Sequence, residues 1–280
     1  MDVMIFDSAS AFLATVGPSL GQHEAEHHLV LGVAATLVTS APPNGDVFAM
    51  AATDADGLAA AAISVRNGPL LVASDRESIA VAAPLLCDAL ENGARRPSHL
   101  IGTVGQIEPL IGEWGRRTHR PPRLVMRQRA YKLTEVTAVP PTSGTLRVAT
   151  VDDLELVTEW VAEFEREALT PLLPQSPRAV AVRRVTAGEV YLWCDPEPRT
   201  MAGSARPTRR AIAVNAVYTP QPWRKRGYAT ACVAALSGLL LRRGYGFCVL
   251  YTDLANPTSN AIYSRIGYRP VRDLLMYDLR

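Results

Sequence analysis

A short basic turn in the last quarter of the sequence has the residue types that bind a phosphate group. An apolar stretch ends at Val217-Tyr218-Thr219, and Arg224-Lys225-Arg226-Gly227-Tyr228-Ala229-Thr230 then leads into a helical pattern. The first amides of a helix are unpaired and carry about half a positive charge, so they attract anions. Gly227 lets a ligand approach the backbone closely, and the three cations add charge. The turn predicts a phosphate or pyrophosphate site, although a solvated surface turn has the same composition.

A second segment with a distinctive spacing follows the next apolar stretch. Tyr263 stands seven residues after Asn256, and Gly267-Tyr268 follows it. In this order, and with a strand-turn-helix-strand-helix pattern, the two segments resemble the GNAT superfamily of acyl-CoA-dependent N-acyltransferases. Arg224-Lys225-Arg226-Gly227-Tyr228-Ala229 is similar to the coenzyme A signature of that superfamily, Gln/Arg-x-x-Gly-x-Gly/Ala. The resemblance covers roughly residues 145–280.

The resemblance implies an N-acetyltransferase. It would move an acetyl or short acyl group directly from acetyl-CoA, its co-substrate, to a small-molecule or peptide primary amine, without a metal. Tyr263 would protonate the leaving thiolate, although a tyrosine that packs under the sheet would also fit this position. The resemblance implies that the residues contacting the co-substrate are Val217, Tyr218, Thr219, Arg224, Lys225, Arg226, Gly227, Tyr228, Ala229, Thr230 and Asn256.

The general base stays open. Many members of the superfamily carry a glutamate on the strand before the signature, but Ala211 to Val217 contains no carboxylate and only Asn215 as a polar side chain. Glu163, Glu165, Glu167 or a chain of water molecules could remove the proton from the amine. The missing carboxylate also leaves a second class of function open, an acyl-CoA-binding sensor without catalysis.

The surrounding pattern predicts the elements that position these residues. Strand, helix, helix, three strands, helix, strand, helix and strand follow one another from Thr145 onwards. Thr150 and Asp153 form a capping box, and Ser176-Pro177 begins a helix. The N-terminal half repeats the strand-strand-strand-helix-strand-helix-strand order, with Pro84 as a kink in a helix over 77–92 and an Asn67-Gly68 turn between strands.

These repeats predict an α+β fold of tandem GNAT-like domains, each a mixed, mostly antiparallel sheet flanked by helices. The turn-rich segment 139–144 separates residues 1–140 from residues 145–280. The first domain would be a degenerate copy, because Ala73-Ser74-Asp75-Arg76-Glu77 stands where the signature would fall. It would shape the acceptor site or support the catalytic second domain.

A competing motif stands at His23-Glu24-Ala25-Glu26-His27, which matches the H-E-x-x-H pattern of zinc metallopeptidases. On a helix, the two histidines could bind zinc while Glu24 activates water. No third ligand stands out in the sequence, and the apolar stretch Leu29 to Val38 follows directly. A polar helical turn that leads into a buried segment is the alternative interpretation.

Composition limits the remaining classes. The net charge is +2, which gives no strong field for nucleic acid or a membrane, and we expect neither as a partner. A basic run over 116–132 is interpreted as a solvated strand face, with a polyanion site as the alternative. The first 90 residues hold ten acidic side chains against two arginines, a weak hint of a cationic acceptor. The four cysteines lack the short paired spacing of a zinc site or a disulfide framework, and the N-terminus lacks the basic region of a secretory signal. Both observations favour a cytoplasmic protein. The oligomeric state stays open.

Overall fold

Two successive parts of the chain have the same order of elements. The computed structural model describes residues 1–40, 47–65, 68–168 and 176–280. The first part contains β1 (Asp2–Phe6), α1 (Ala9–Leu20), α2 (Glu24–Thr39), β2 (Val47–Asp54), β3 (Gly57–Val65), β4 (Leu70–Ala73), α3 (Ala83–Asn92), β5 (His99–Thr103), α4 (Glu108–Thr118) and β6 (Arg123–Leu133). The second part contains β7 (Thr145–Val148), α5 (Leu154–Ala168), α6 (Pro177–Thr186), β8 (Val190–Asp195), β9 (Glu197–Ala205), β10 (Ala211–Tyr218), α7 (Tyr228–Arg242), β11 (Phe247–Asp253), α8 (Pro257–Ile266) and β12 (Arg269–Asp278).

The two halves share one mixed sheet of twelve strands. Its order is β1-β2-β3-β4-β5-β12-β6-β11-β10-β9-β8-β7. The β4–β5 and β10–β11 pairs are parallel, and the other neighbours are antiparallel. The expectation of an α+β fold with two GNAT-like repeats, each mostly antiparallel and flanked by helices, is therefore confirmed.

The last strands of the two halves are exchanged. β12, from the end of the chain, lies between β5 and β6 of the first half, and β6 lies between β12 and β11 of the second half. Neither half thus completes its own sheet with its own last strand. The division into residues 1–140 and 145–280 stays a prediction, because this exchange joins the two parts in one sheet.

Helices cover both faces of the sheet around β10 and β11. On one face, α7 and α8 pack on Ile212, Val214, Cys248 and Leu250. On the opposite face, α5 and α6 pack on β8 and β9, while Ala25 of α2 packs on Ala211, Ala213, Phe247 and Val249. A helix of the first half thus contacts the second half's central strands. None of the helices in the described ranges is long and apolar enough to cross a membrane.

Local signals placed most helix ends in the second half correctly. Thr150 and Asp153 make both hydrogen bonds of the predicted capping box. The Ser176 hydroxyl accepts from the Ala179 amide, as expected for an N-cap.

The first half departs more from the expected elements. α3 begins at Ala83 rather than at residue 77, and Pro84 stands in its first turn instead of kinking it, because a helix start needs no proline N–H. The pattern also did not predict β1 or α1. Asn67 of the expected Asn67-Gly68 turn lies outside the described residues.

Candidate functional site

The central parallel pair separates after three residues. β10 pairs with β11 only through Ala211–Phe247, Ile212–Cys248 and Ala213–Val249. β10 then contains an irregularity between Asn215 and Tyr218, where Ala216 has a φ of +48°. Bulges of this kind bend a strand and leave backbone groups unpaired. A gap that exposes the backbone of β10 therefore opens between the two strands.

Two carbonyls at the end of this strand already accept hydrogen bonds. The Thr200 hydroxyl donates to the carbonyl of Tyr218 at 2.6 Å, and Nε of Arg224 donates to that of Thr219 at 2.8 Å. A carbonyl oxygen has a second lone pair, so both residues keep some accepting capacity. The side chain of Val217 packs with the α7 layer. The structure thus brings the three predicted strand residues to the gap, with two carbonyls partly engaged.

The turn after β10 presents free backbone amides. Gly227, at a φ of +87°, is the N-cap of α7 and provides no side-chain cap. No acceptor for the amides of Arg226 to Thr230 occurs within the described ranges. Arg224 to Gly227 are exposed, whereas Tyr228 and Thr230 are buried. The uncapped helix start is therefore an accessible cradle of N–H donors for an anion.

The cations of the turn differ in availability. Nη2 of Arg224 contacts both carboxylate oxygens of Glu167, at 2.6 and 2.8 Å, and this carboxylate raises the pKa of Arg224. Arg226 lies 5.0 Å and Arg199 3.9 Å from the centre of the Trp223 ring. Lys225 is exposed. Arg226 and Lys225 can meet a phosphate directly, but Arg224 has to leave Glu167 to do so.

The segment between the two halves packs against this turn. A β-carbon at Gly227 would lie 3.0 Å from Oγ1 of Thr142. Ser143 and Tyr228 both donate to Oδ2 of Asp195, at 2.5 and 2.6 Å, and these two hydrogen bonds lower the pKa of Asp195. Thr142, Ser143 and Asp195 carry no signal in the sequence, because only the fold brings them to the start of α7.

The second motif is tied to the first half of the chain. Oδ1 of Asn256 accepts from the Ser259 amide at 3.0 Å and so caps α8. Four residues later, Oδ1 of Asn260 accepts from the Tyr131 hydroxyl on β6 at 2.7 Å. The side-chain oxygen of Asn256 keeps one lone pair after capping; its contact with the co-substrate stays a prediction. The exchanged strand β6 thus helps to fix α8.

Tyr263 lies in an aromatic cluster under α8. The centre of its ring is 6.5 Å from that of Tyr131 and 6.1 Å from that of Tyr268. Burial raises the pKa of Tyr263 to about 12, although a hydrogen bond with the Ser259 side chain acts in the opposite direction and lowers it. The phenol is therefore fully protonated at neutral pH, as a proton donor must be. The ring contacts of Tyr263 agree mostly with the alternative interpretation, a tyrosine that packs under the sheet.

The three candidate bases lie near the end of α5 in different surroundings. Oε2 of Glu163 accepts from the Tyr218 hydroxyl at 3.4 Å, and Glu163 also forms an ion pair with Arg166. Glu167 is held by Arg224. Glu165 is half-buried and makes no hydrogen bond or ion pair with another described residue. Glu163 is thus the carboxylate of the three that contacts β10.

The His23-Glu24-Ala25-Glu26-His27 motif connects elements instead of gathering ligands. His27 is buried and lies 2.9 Å from Oδ1 of Asp75, whereas the side chain of His23 is 61% exposed. Oε1 of Glu24 accepts from the Thr208 hydroxyl at 2.6 Å and the Arg210 amide at 2.9 Å. Glu26 pairs with Arg272 of β12. No group of three or more His, Cys, Asp or Glu side chains in the described ranges could hold a metal ion. Glu24, Glu26 and His27 thus bind residues outside the motif, which supports the interpretation as a polar helical turn rather than a zinc site.

The corresponding place in the first half is closed by side chains. Nε2 of Gln106 donates to the carbonyls of Ser74 and Arg76, at 2.9 and 2.5 Å. The Ser74 hydroxyl donates to the carbonyl of Ala59 at 2.7 Å, and Arg76 pairs with Asp54. The chain after β4 continues for nine residues before α3 begins at Ala83. α3 also begins without a side-chain cap, but the Ala83 amide bonds to the carbonyl of Ile79 and Pro84 has no N–H. The loss of the site in this half stays a prediction.

Comparison with known proteins agrees with this geometry. Residues 200–275, which contain β10, the turn and α8, match the family described as FR47-like protein. No curated protein matches the chain significantly.

Solved structures share the architecture over nearly the whole chain. A GCN5-related N-acetyltransferase from Sphaerobacter thermophilus has a TM-score of 0.61 at 15% identity, covering 99% of this chain and 96% of that one. A GNAT-family acetyltransferase from Colwellia psychrerythraea has a TM-score of 0.57 at 9% identity, covering 100% of both chains. A tandem GNAT protein from the clavulanic acid biosynthesis pathway has a TM-score of 0.56 at 12% identity, covering 100% of this chain and 99% of that one.

The chain therefore has the fold of the GNAT acetyltransferases, in two repeats. The signature turn and the second motif both lie within the residues that match the FR47-like family, which supports the predicted resemblance to the GNAT superfamily.

Proposed function

We propose that this chain transfers an acetyl or short acyl group from coenzyme A to a primary amine, and that its second half carries the chemistry. The observation that carries the proposal is the gap between β10 and β11, which leads to the uncapped start of α7. A pantetheine arm fits such a gap because it can pair with a strand edge, and a pyrophosphate fits the free amides. Acetyl-CoA would supply an activated acyl thioester there.

The turn would bind the pyrophosphate through backbone amides and two available cations. Gly227 has no side chain, so the backbone can be approached closely. Arg226 and Lys225 add positive charge, and Arg224 joins them if the phosphate displaces Glu167. Hydrogen bonds to a charged group contribute roughly 1.5–3 kcal/mol each. A few such bonds account for micromolar binding of a co-substrate.

Glu163 would accept the proton of the amine, directly or through the Tyr218 hydroxyl. It lies on the face of the sheet opposite α7 and contacts the end of β10. Since Glu167 is occupied by Arg224, Glu163 is the better placed of the two.

Tyr263 would stabilise the leaving thiolate from the other face of the sheet. Full proton transfer from a phenol of pKa about 12 to a thiolate of pKa near 8.5 costs roughly 5 kcal/mol. Donation of a hydrogen bond to the developing thiolate has no such cost. We therefore assign Tyr263 this role, with the proton following as the product leaves.

Calorimetry with acetyl-CoA, followed by an assay of thiol release with a panel of amines, tests the proposal. Binding together with amine-dependent release of coenzyme A is the expected result. Binding without turnover of any amine would instead favour the acyl-CoA sensor that the missing strand carboxylate leaves open. A folded protein that does not bind acetyl-CoA would refute both functions.

A further inference from the structure

Arg206 lies beside the gap, on the face of the sheet opposite α7. It follows β9 directly, and its guanidinium carbon is 5.9 Å from the centre of the Tyr251 ring. Tyr251 stands two residues beyond Val249, the last residue of β11 that pairs with β10. Tyr251 shares its face with Phe247 and Val249, on which α2 packs. The guanidinium therefore lies beside β11 at the point where β10 and β11 separate.

Helix α2 holds the backbone of Arg206 in an unfavourable conformation. Arg206 has a φ of +52°, which side chains with a β-carbon rarely adopt. Nε2 of His28 donates to the carbonyl of Arg206 at 3.0 Å. One turn later, a β-carbon on Gly32 would lie 2.9 Å from the β-carbon of Arg206. Strained residues that are held by several neighbours concentrate at functional sites.

The guanidinium of Arg206 has no counter-charge. Its Nε is buried without a hydrogen-bond partner, and its side chain forms no ion pair with any carboxylate in the described ranges. The residue as a whole is half-buried, whereas burial lowers the pKa of its guanidinium. Buried charged groups in proteins are normally paired. A missing partner beside a reaction site therefore points to a ligand.

A second buried arginine lies close to Arg206. Nη2 of Arg184 donates to Oδ1 of Asn215 on β10 at 2.8 Å. Burial, and to a smaller extent the nearby Arg206, lowers the pKa of Arg184 to about 10. Arg184 also forms an ion pair with Glu189 at 3.6 Å, and on α2 Glu26 pairs with Arg272.

We propose that the acceptor amine also carries a carboxylate, which Arg206 binds while the amine faces the gap between β10 and β11. The inference rests on the proposed acyl transfer and specifies its substrate class as amino acids. A planar guanidinium binds a carboxylate with two parallel hydrogen bonds, which fixes orientation as well as affinity. The first half would then contribute to specificity, since its helix α2 positions Arg206.

Pairs of amines that differ in the anionic group test this inference. The panel compares leucine with isoamylamine, tyrosine with tyramine, β-alanine with ethylamine, and phosphoethanolamine with ethanolamine, with coenzyme A release as the readout. In at least one of the three pairs that differ by a carboxylate, the amino acid should have a kcat/KM at least about ten-fold higher than the amine that lacks the carboxylate. Arg206→Gln should reduce this preference to less than about three-fold while the KM for acetyl-CoA stays unchanged.

Three further variants separate the charge of Arg206 from its structural role. Arg209→Gln removes an exposed arginine from the same loop and should keep the preference. Arg206→Lys keeps the charge and should retain part of it. Gly32→Ala should lower it by displacing Arg206 without altering the guanidinium. Calorimetry of N-acetyl-leucine against N-isoamylacetamide, in the presence of coenzyme A, gives the same comparison without turnover.

The outcomes distinguish this inference from the proposed function. If acetyl-CoA binds but no carboxylate compound binds or reacts better than its neutral partner, the inference is overturned and the acyltransferase proposal stands. Preference for phosphoethanolamine alone also overturns it, because the anion would then be a phosphate. If acetyl-CoA itself does not bind, the proposed function fails first, and the inference fails with it.

Discussion

Substitution of Gly227 by glutamate is the sharpest perturbation of the site. Gly227 caps α7 with a φ of +87°, and the amides around it have no intramolecular acceptor in the described ranges. A side chain here has to tolerate the left-handed conformation, and its β-carbon would lie 3.0 Å from Oγ1 of Thr142. The carboxylate would also extend into the space that a phosphate would occupy.

The expected loss of affinity follows from the blocked hydrogen bonds. If glutamate prevents two amides from reaching the pyrophosphate, about 3–6 kcal/mol of binding free energy disappears, at roughly 1.5–3 kcal/mol per charge-assisted bond. This corresponds to a Kd for acetyl-CoA that is about 10²–10⁴-fold higher. The left-handed conformation costs about 1–2 kcal/mol of folding stability in addition. A stability loss of that size lowers the Tm by a few degrees in a chain of this length.

Gly244 provides the matched control at the other end of the same helix. It also has a positive φ, of +101°, and a β-carbon there would meet no described atom within 4 Å apart from its chain neighbours. Gly244→Glu should lower the Tm by a similar amount and leave the Kd for acetyl-CoA unchanged. Gly227→Ala separates the two causes of the loss, since it introduces the strain without the charge. Calorimetry gives the Kd, and thermal unfolding gives the Tm.

The comparison of the two glycines decides the outcome. Equal affinities of wild type and Gly227→Glu for acetyl-CoA would refute the assignment of the pyrophosphate to this turn. Equal losses of affinity in Gly227→Glu and Gly244→Glu would show that destabilisation, rather than a blocked anion site, is the cause.

Three other predictions concern chemistry, local stability and the exchange of strands. Tyr263→Phe should lower kcat about 100-fold with little change in the KM for acetyl-CoA; because burial raises the pKa of Tyr263 to about 12, the wild-type kcat should show no loss from its deprotonation up to about pH 11. Asp153→Asn should destabilise the fold by about 1–3 kcal/mol in urea unfolding at pH 7, since the carboxylate of Asp153 binds both Nη1 and Nη2 of Arg147. Arg147 lowers the pKa of Asp153, so the difference should be complete above its ordinary value of 3.8 and vanish as the pH falls through the lowered pKa. Residues 141–280 expressed alone should aggregate, because β11 and β12 lose their neighbours β5 and β6, and co-expression with residues 1–140 should restore a soluble complex.

Each of these predictions has a clear contrary result. A full kcat in Tyr263→Phe would leave the tyrosine with its packing role alone. A stability difference for Asp153→Asn that persists unchanged at pH 2 would show that the effect is not due to the ionised carboxylate. A monomeric, folded fragment 141–280 would mean that β12 can pair with β11 directly and that the exchange is not required for folding.

Much of the local structure was predictable because its causes are local. The capping box at Thr150, the N-cap at Ser176 and the glycine turn at Gly227 each depend on residues within a few positions. The HEAEH pattern shows the limit of such reasoning. Its spacing fits zinc ligands, but the partners of Glu24, Glu26 and His27 lie between 48 and 246 residues away. Local spacing says nothing about those partners.

The first half was harder to predict because its signals are weaker. Alanine-rich strands such as Gly57–Val65 carry little alternation, and Pro84 fits both a kink and a helix start. In the structure Pro84 stands at the start of a helix, since α3 begins at Ala83. The site residues Asp195 and Thr142, and also Arg206, carried no signal in the sequence, because their contacts with the start of α7 and with Tyr251 depend on packing.

The sequence by itself predicted the GNAT-like fold of this protein and the location of the turn proposed to bind an anion. A basic turn, a glycine and a helix start are adjacent in the chain, so their capacity to bind an anion can be inferred without knowing the rest of the fold. Only the tertiary structure decided which strands are neighbours and which helix covers the face of the sheet opposite α7. Alternation along a strand specifies the side that is buried but not the strand beside it, so the exchange of β6 and β12 is invisible in the pattern. The same exchange brings α2 of the first half against β10 and β11, where it holds Arg206 beside the gap.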